Sequence, residues 1–584
     1  MCLRSPICLA LCLLSLPCVA HAQEKRPALP KVVLVGDSIR IGYEPFVTKS
    51  LEGKAEVVSP GSKAAGDSAW LLKNLDAFVI DHKPDLIHFN VGLHDLRHDR
   101  KKKTYQIDVE QYEKNLDAIL TRLKKETKAT IVFATTTPID DDRHAKRGGG
   151  YDRFEKDVKR YNEAAVRRCL KHGVVVHDLH HLVRHAGRDW LADDGTHYKL
   201  SGNVHLAAAV RDCVVRHLAV RSAKPAAKAE PNPEAAKKYR KAEAERDDQV
   251  PDHFKKLKVG RFDPPADAAA WKEQRPKVRE IVVKSLGELP ERPKPSAHLI
   301  SREIHPHFTL ESLTIPNGLD EEMTAYFIAP HPDKHKGKRP AVMWLHSSSY
   351  DRNQLLWRGH NGGDEPLGEA FAKAGYAVLA PDAAWYGGRS GAGPSGPAES
   401  GREQHDALFK YHLWMGRTLW GTFVRDDQVA LDYLCTRPEI DAKRIGATGM
   451  SMGSTRSWWL AALDDRVSCA VGVACLTRYG NLIAHGQLRQ HGVYYFTFGL
   501  LKHFDSEGVI ALIAPRPFLA LTGDLDAGSP ADGVREIEKQ VGKVYSAVGA
   551  KDQFRSVLHK DVGHVHTPEM RKETLAWFEK HLKP

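Results

Sequence analysis

Residues 223–238 read AKPAAKAEPNPEAAKK, a run whose alanines, lysines, prolines and glutamates leave almost nothing to bury. Such a stretch reads as an extended, exposed connector rather than part of a core. It splits the 584-residue chain into an upstream unit, residues 30–218, and a downstream unit, residues 239–584, with 219–238 between them. Both sizes suit independent domains, whereas one core would stop growing well short of the whole chain. Hydrophobic residues at 42% and charged residues at 27% exclude a disordered, collagen-like or polytopic membrane chain. The net charge of +12 comes from 86 basic and 74 acidic residues with the signs mixed. That balance suits a solvated surface, and no basic arm or stripe calls for a nucleic-acid partner.

The first segment stands apart from both units. Arg4 precedes the almost wholly apolar Ile7–Val19, and Ala20-His21-Ala22 supplies small residues around a cleavage point. This pattern is a secretory signal removed after Ala22, giving residues 1–22 as leader and a secreted or periplasmic protein. The run is too short to span a bilayer and Pro17 interrupts it. Cys18 raises a lipoprotein alternative, but Pro17 is not the small residue such a site prefers. No later segment is long enough to cross a membrane, so no stable insertion is expected. Cys169, Cys213, Cys435, Cys469 and Cys475 remain, an odd set with no zinc-ligand spacing. A bridge between Cys169 and Cys213, or between Cys469 and Cys475, stays open. His177, His180, His181 and His185 read as a solvated helix face, and no metal or cofactor is expected.

Both units alternate strand-like and helical patterns, which argues for α/β architecture with helix-covered, largely parallel sheets. Upstream strand candidates are Lys31–Val35, Asp85–Asn90 and Ala129–Phe133, with a helical pattern over Val109–Lys125. Downstream, Phe308–Ile315 and Met323–Ile328 form an antiparallel pair. Ala341–Leu345, Ala377–Ala380, Ile445–Thr448, Cys469–Val473 and Phe518–Leu521 follow.

Gly36-Asp37-Ser38 ends the first strand, so Ser38 stands at a strand tip entering a helix, whose N-terminus favours developing negative charge. A hydroxyl needs a base to become a nucleophile. Asp194-Gly-Thr-His197 places a carboxylate and an imidazole on one short loop at the far end of the unit. A second Gly-Asp-Ser at Gly66-Asp67-Ser68 follows a loop-like run instead of a buried strand, which favours Ser38. With these residues, positions 30–218 resemble the SGNH (GDSL-type) hydrolases. The resemblance implies a flavodoxin-like three-layer sandwich, Ser38 as nucleophile, His197 as base and Asp194 as its orienting carboxylate. It assigns Gly66 to the oxyanion hole, and expects an Asn where this chain has His94 in Gly92-Leu-His-Asp95. His94 replaces that donor if its tautomer suits. A unit that only binds glycans is the competing expectation.

Downstream, Gly449-Met-Ser-Met-Gly453 directly follows the strand and precedes a helical pattern, the context of a nucleophile elbow at Ser451. The acid and histidine follow in that order. Asp524 and Asp526 both lie after the strand Phe518–Leu521, while His564 and His566 precede the last helix. The unit resembles α/β-hydrolases of the acetyl xylan esterase and dienelactone hydrolase-like group, supported by Gly416–Gly421, Arg425-Asp-Asp427 and Leu431-Asp-Tyr433. The resemblance selects Asp526 and His564, and implies an oxyanion hole from the Met452 N–H and Ser347. Dienelactone hydrolases use Cys where this chain has Ser451. Glucuronoyl esterases place Arg and Lys where it has Met452 and Thr455. Trp385, Tyr386, Trp414, Trp420, Trp458, Tyr494 and Tyr495 are either core or lining. Together the resemblances imply an exported bimodular esterase acting on acetylated polysaccharide or oligosaccharide, with a peptidase as the rival for the downstream unit.

Overall fold

The computed structural model describes residues 28–223, 233–319, 322–331, 337–391 and 393–583. The expected leader, with Cys18 and Ala22, lies outside them, as does the middle of the connector. The connector's described ends are not extended. Residues 219–222 finish the helix Leu200–Ser222, and residues 233–238 open the helix Pro233–Gln249. Alanine, lysine and glutamate are strong helix formers, and Pro233 stands at a first helical position where proline is tolerated. Composition that denies a core does not deny a helix.

The strands of the upstream unit are β1 (Lys31–Val35), β2 (Glu56–Val58), β3 (Leu86–Phe89), β4 (His98–Asp99), β5 (Thr130–Ala134), β6 (Tyr151–Asp152) and β7 (Val175–His177). Five of them pair in the parallel order β2-β1-β3-β5-β7, while β4 and β6 form a small ribbon apart. This is the flavodoxin-like order, and its direction reverses between β1 and β3. The crevice at the carboxyl ends of those two strands is where open α/β sheets place their sites. Helices cover both faces, so β1 and β3 are nearly all apolar and buried.

Downstream come β8 (His298–Ile304), β9 (Phe308–Pro316), β10 (Glu322–Pro330), β11 (Arg339–Leu345), β12 (Ala377–Pro381), β13 (Ile440–Met450), β14 (Val467–Val473), β15 (Phe518–Gly523) and β16 (Phe554–His559). They pair as β16-β15-β14-β13-β11-β12-β10-β9-β8. The pairs from β12 through β16 are parallel, and β8, β9 and β10 are antiparallel to their neighbours. Separate apolar clusters pack the two faces of this half, and a third fills the upstream unit.

The two units share one sheet. β7 and β8 pair antiparallel through Val176↔Ile304 and His177↔Glu303, joining all fourteen strands. Buried polar groups line the seam. Arg216 reaches Asp212 and Glu303 at 2.6 Å each, His305 meets Glu303 at 2.8 Å, and Ser301 donates to Asp212 at 2.6 Å. His177 therefore does not sit on a solvated helix face: it ends β7, fully buried, 3.0 Å from His88. Its neighbours in the sequence pattern hide this because the strand is only three residues long. All five described cysteines are free, so neither open bridge forms. No described helix is long and apolar enough to cross a membrane.

Two candidate active sites

In the upstream unit, β1 runs into Gly36, where any Cβ would fall 1.9 Å from Asn90 Oδ1. That close approach lets Asn90 donate to the buried Asp37 at 2.6 Å, while Asp37 accepts from the Ile39 N–H and caps the helix Ser38–Ser50. Ser38 is thus held at the helix start, at the switch point between β1 and β3. Its Oγ lies 2.8 Å from His197 Nε2, and His197 Nδ1 lies 2.5 Å from Asp194 Oδ2. The other oxygen of Asp194 accepts the N–H groups of Thr196 and His197. Burial would raise this carboxyl, but the His197 ring and these N–H groups win and hold it at about 2. Asp194 therefore stays ionised and fixes the imidazole with Nε2 free to accept the serine proton.

The second Gly-Asp-Ser plays a different part. Ser68 is fully buried, its Oγ donating to Asp95 at 2.5 Å and accepting from Asn115 at 2.8 Å. Asp95 also accepts the Ser68 N–H, so the turn carrying Gly66 is pinned to the loop carrying His94. Burial, followed by the charges of Arg97 and Arg153, drops His94 to about 4, which keeps the ring neutral. Its Nε2 faces the Arg97 guanidinium at 3.4 Å and so acts as acceptor. The ring proton is then on Nδ1, the tautomer that leaves a donor for an oxyanion. Arg40, which the sequence pattern does not single out, is buried beneath the nucleophile turn and donates to the carbonyls of Gly36 and Gly61.

In the downstream unit, β13 ends at Met450 and the helix Met452–Leu463 begins directly after Ser451, whose φ is +59°. A Cβ on Gly453 would fall 1.9 Å from the Leu345 carbonyl oxygen, so the elbow closes only with glycine there. Ser451 Oγ lies 2.8 Å from His564 Nε2, and His564 Nδ1 lies 2.8 Å from Asp526 Oδ2. Burial lowers the His564 affinity for a proton, but the Asp526 charge and hydrogen bond outweigh it and raise the ring above its usual value. Asp524 faces elsewhere: it accepts from Arg240 at 3.1 Å and from the Asp561 N–H at 2.7 Å. The ring nitrogens of His566 are both buried, and neither is hydrogen-bonded among the described residues. Of the two duplicated choices, the structure places Asp526 and His564 at the serine.

Met452 opens the helix after the nucleophile, where backbone N–H groups face outward. Ser347 follows β11 and is buried, its carbonyl accepting from His346 Nδ1 at 2.8 Å. His346 Nε2 accepts the Ala383 N–H, so this buried, neutral ring braces the loop that carries Ser347. Neither that brace nor Cys475, whose Sγ lies 4.0 Å from Ser451 Oγ, has any local sequence signature. Trp385, Trp420, Trp458, Tyr494 and Tyr495 are buried, whereas Trp414 is 90% exposed. The Arg425-Asp-Asp427 block is structural: Asp427 holds Arg456 at 2.6 Å and Asp426 holds Arg389 at 2.7 Å.

Among the described residues, three groups have ligand atoms close enough to hold a metal ion: His88, His177 and Cys213; Cys213, His217 and Glu303; His559, Glu569 and Glu573. The first two share the seam, where hydrogen bonds and the Arg216 ion pair already engage most of their polar atoms. Neither Ser38 nor Ser451 belongs to any of them.

A flavodoxin-like unit and an α/β-hydrolase unit, each with a Ser-His-Asp constellation at its strand ends, define a two-domain hydrolase. The chain belongs to the dienelactone hydrolase family through its C-terminal unit and carries a GDSL-like domain ahead of it. Residues 34–210 match the GDSL-like Lipase/Acylhydrolase family, and residues 357–572 match the Dienelactone hydrolase family. A protein of Bacillus subtilis (strain 168) named "Putative hydrolase YtaP" is 36% identical over 308 residues, which cover 52% of this chain and 98% of that one. A solved structure described as a putative acetyl xylan esterase from Bacteroides fragilis NCTC 9343 is 20% identical with a TM-score of 0.42, covering 55% of this chain and 82% of its own. A glucuronoyl esterase from Solibacter usitatus is 17% identical with a TM-score of 0.42, covering 56% and 99%.

Proposed function

We propose that the protein is an exported carboxylic ester hydrolase with two serine sites, removing acetyl groups from polysaccharide or oligosaccharide outside the cytoplasm. The reading rests on one repeated observation: a serine hydroxyl 2.8 Å from an imidazole that a carboxylate orients, once in each unit. In each cycle Oγ attacks the ester carbonyl carbon while histidine Nε2 takes its proton. The tetrahedral oxyanion is held by backbone N–H groups, with His94 adding a side-chain donor upstream. Collapse expels the sugar alkoxide, which receives the proton from the imidazolium. Water then attacks the acetyl-enzyme with histidine again as base, releasing acetate and restoring the serine. At each site the imidazole lies within hydrogen-bond reach of the serine hydroxyl, so the residues present supply the nucleophile and the base for this sequence themselves. The acetyl and glycan preferences follow the family resemblance of the motifs, and the secreted or periplasmic location follows the leader pattern.

The test is acetate release from a panel of acetylated polysaccharides by the wild type, Ser38→Ala, Ser451→Ala and the double variant. Loss of a nucleophile should lower turnover at its own site by roughly 10⁴-fold or more. Each single variant keeping a distinct part of the activity supports two esterase sites. Activity wholly lost in Ser451→Ala and untouched in Ser38→Ala would reduce the upstream unit to a binding module. Cleavage of small peptides without acetate release would turn the downstream site into a peptidase.

A further inference from the structure

Three guanidinium groups crowd one aromatic ring beside the Ser38 site. The centres of Arg97, Arg147 and Arg153 stand 4.7, 4.9 and 5.1 Å from the centroid of Tyr151. The ring is fixed by the β4–β6 ribbon, where Tyr151 pairs with Asp99. Cation–π attraction to one ring offsets only part of the repulsion among three like charges.

Among the described residues no carboxylate forms an ion pair with any of the three, and the buried Asp37 attracts Arg153 only through space. Asp152 is paired with Arg100 at 2.6 Å, and Asp99 is turned to the N–H groups of Lys101 and Lys102. Asp67 accepts from Gln106 and from the Trp70 N–H. Elsewhere in the fold deeply buried arginines grip carboxylates: Arg40 with Glu44, Arg216 with Glu303, Arg352 with Asp382, Arg456 with Asp427. Arg153 is buried as deeply, yet its Nε donates only to the Leu93 carbonyl. The buried Arg97 Nε has no hydrogen-bond partner among the described residues. Crowding three like charges around one ring, with Arg153 out of water and no ion pair among them, is costly, and a ligand that brings the missing charge offsets that cost.

The cluster touches both loops that frame the nucleophile. Arg97 lies 3.4 Å from His94, on the loop after β3. On the other side, His144 sits against Tyr151 with ring centroids 6.0 Å apart, and its Nδ1 meets Thr196 Oγ1 at 3.0 Å. Thr196 stands between Asp194 and His197. We infer that Arg97, Arg147 and Arg153 form an anion subsite of the Ser38 centre, and that the ester hydrolysed there sits on a molecule carrying a carboxylate or sulfate, as an acidic sugar does. Guanidinium groups suit this task because their planar N–H forks match the paired oxygens of either anion. The inference rests on the reading of Ser38 as a catalytic serine, and it assigns the two sites of the chain different substrates, since the cluster belongs to the upstream unit alone.

The experiment uses the full chain carrying Ser451→Ala, so that only the upstream site turns over. Its substrates are three acetylated methyl glycosides: a neutral glucoside, a glucuronoside and a glucoside sulfate. At low salt, kcat/KM for a charged ester should exceed that for the neutral one by about tenfold, and sodium chloride should shrink the preference. Comparing uronate with sulfate tells which anion the subsite takes. Arg147→Gln, at an exposed position, and the double variant Arg97→Gln/Arg147→Gln should drive the charged-to-neutral ratio towards one. Equal rates on charged and neutral esters, with a ratio indifferent to the double variant, would overturn the subsite. If the Ser451→Ala chain hydrolyses no ester at all, it is the catalytic reading of Ser38 that fails. Calorimetric titration of glucuronate and of sulfate into the Ser38→Ala chain then judges the subsite directly. Saturable binding lost in the double variant sustains it, and no binding of either anion overturns it.

Discussion

Arg216 of the upstream unit meets Glu303 of the downstream unit at 2.6 Å, with both side chains buried. Burial opposes the Glu303 charge, yet Arg216 and then His217 hold the carboxyl well below its usual range. Removing one partner of such a pair leaves an uncompensated buried charge, at a cost of about 3–5 kcal/mol. Glu303→Gln should therefore lower stability by roughly that amount and loosen the β7–β8 seam. In calorimetry, one cooperative unfolding event in the wild type should separate into two. The pH dependence has a defined sign. A depressed carboxylate stabilises the fold above its unfolded value of 4.5 and loses that contribution as pH falls through its lower folded value. The wild type should lose stability on acidification below about pH 4.5 more steeply than Glu303→Gln. A variant with the same midpoint and the same number of transitions would refute the seam's role.

The two Gly-Asp-Ser copies should separate in opposite ways. Ser38→Ala removes the hydroxyl that faces His197 and should abolish turnover at the upstream site with little change in melting temperature. Ser68→Ala instead strips a buried donor from Asp95 and an acceptor from Asn115. Leaving such groups unsatisfied costs about 1–3 kcal/mol. Its expected signature is a lowered denaturation midpoint with turnover retained by the folded fraction. Complete loss of turnover in a stably folded Ser68→Ala would reverse the assignment of the nucleophile.

At the Ser451 site the histidine acts as base only when neutral. Asp526 raises His564 above the usual 6.5, so the acid limb of kcat/KM should lie above pH 6.5. Asp526→Asn removes the charge and can turn an amide N–H donor towards Nδ1, favouring the wrong tautomer, and should move the limb to lower pH while cutting kcat by about 10⁴-fold. The pH profile, measured in a Ser38→Ala background, decides the matter. A limb that stays in place in Asp526→Asn would mean that another group sets the histidine.

Much of both sites is legible in the sequence because Ser38, Ser451 and Asp526 each follow a strand end, where a short motif fixes the position, while Asp194 and His197 share one short motif before the helix Leu200–Ser222. Ser38 and Ser451 each follow an apolar run, and Asp194 reaches His197 within one turn. The seam is less legible. β8 reads HLISREI, and its buried side chains include Ser301 and Glu303. Inward-facing polar residues blur the alternation that marks a half-buried strand, and their partners Asp212 and Arg216 lie on a helix remote in sequence. The helix over Pro233–Gln249 is hidden for a related reason: with only Ala236 fully buried, it carries no apolar stripe. The arginine cluster around Tyr151 draws Arg147 and Arg153 from residues flanking the ring and Arg97 from the loop after β3, and no local spacing announces that distant member.

That same helix supplies the last prediction. Arg240 donates to Asp561 at 2.7 Å and to Asp524 at 3.1 Å, and the Asp561 N–H donates to Asp524 at 2.7 Å. Asp524 belongs to the loop that carries Asp526, and Asp561 to the loop that carries His564. One side chain from the helix that begins in the connector thus ties together the acid and base loops of the downstream site without touching the substrate position, which makes Arg240 a positioning residue. Its head is about half exposed, so salt should weaken the tie. Arg240→Ala should lower kcat at the Ser451 site about two- to fivefold with KM nearly constant, because misalignment of the base acts in the transition state more than in binding. Arg240→Lys should recover part of the loss by restoring the charge, and high salt should reduce wild-type kcat towards the variant's. The control is the Ser38 site of the same chain, measured on its own substrate. An equal fall at both sites would point to general destabilisation, and an unchanged kcat at Ser451 would show that the two loops hold their alignment without the helix.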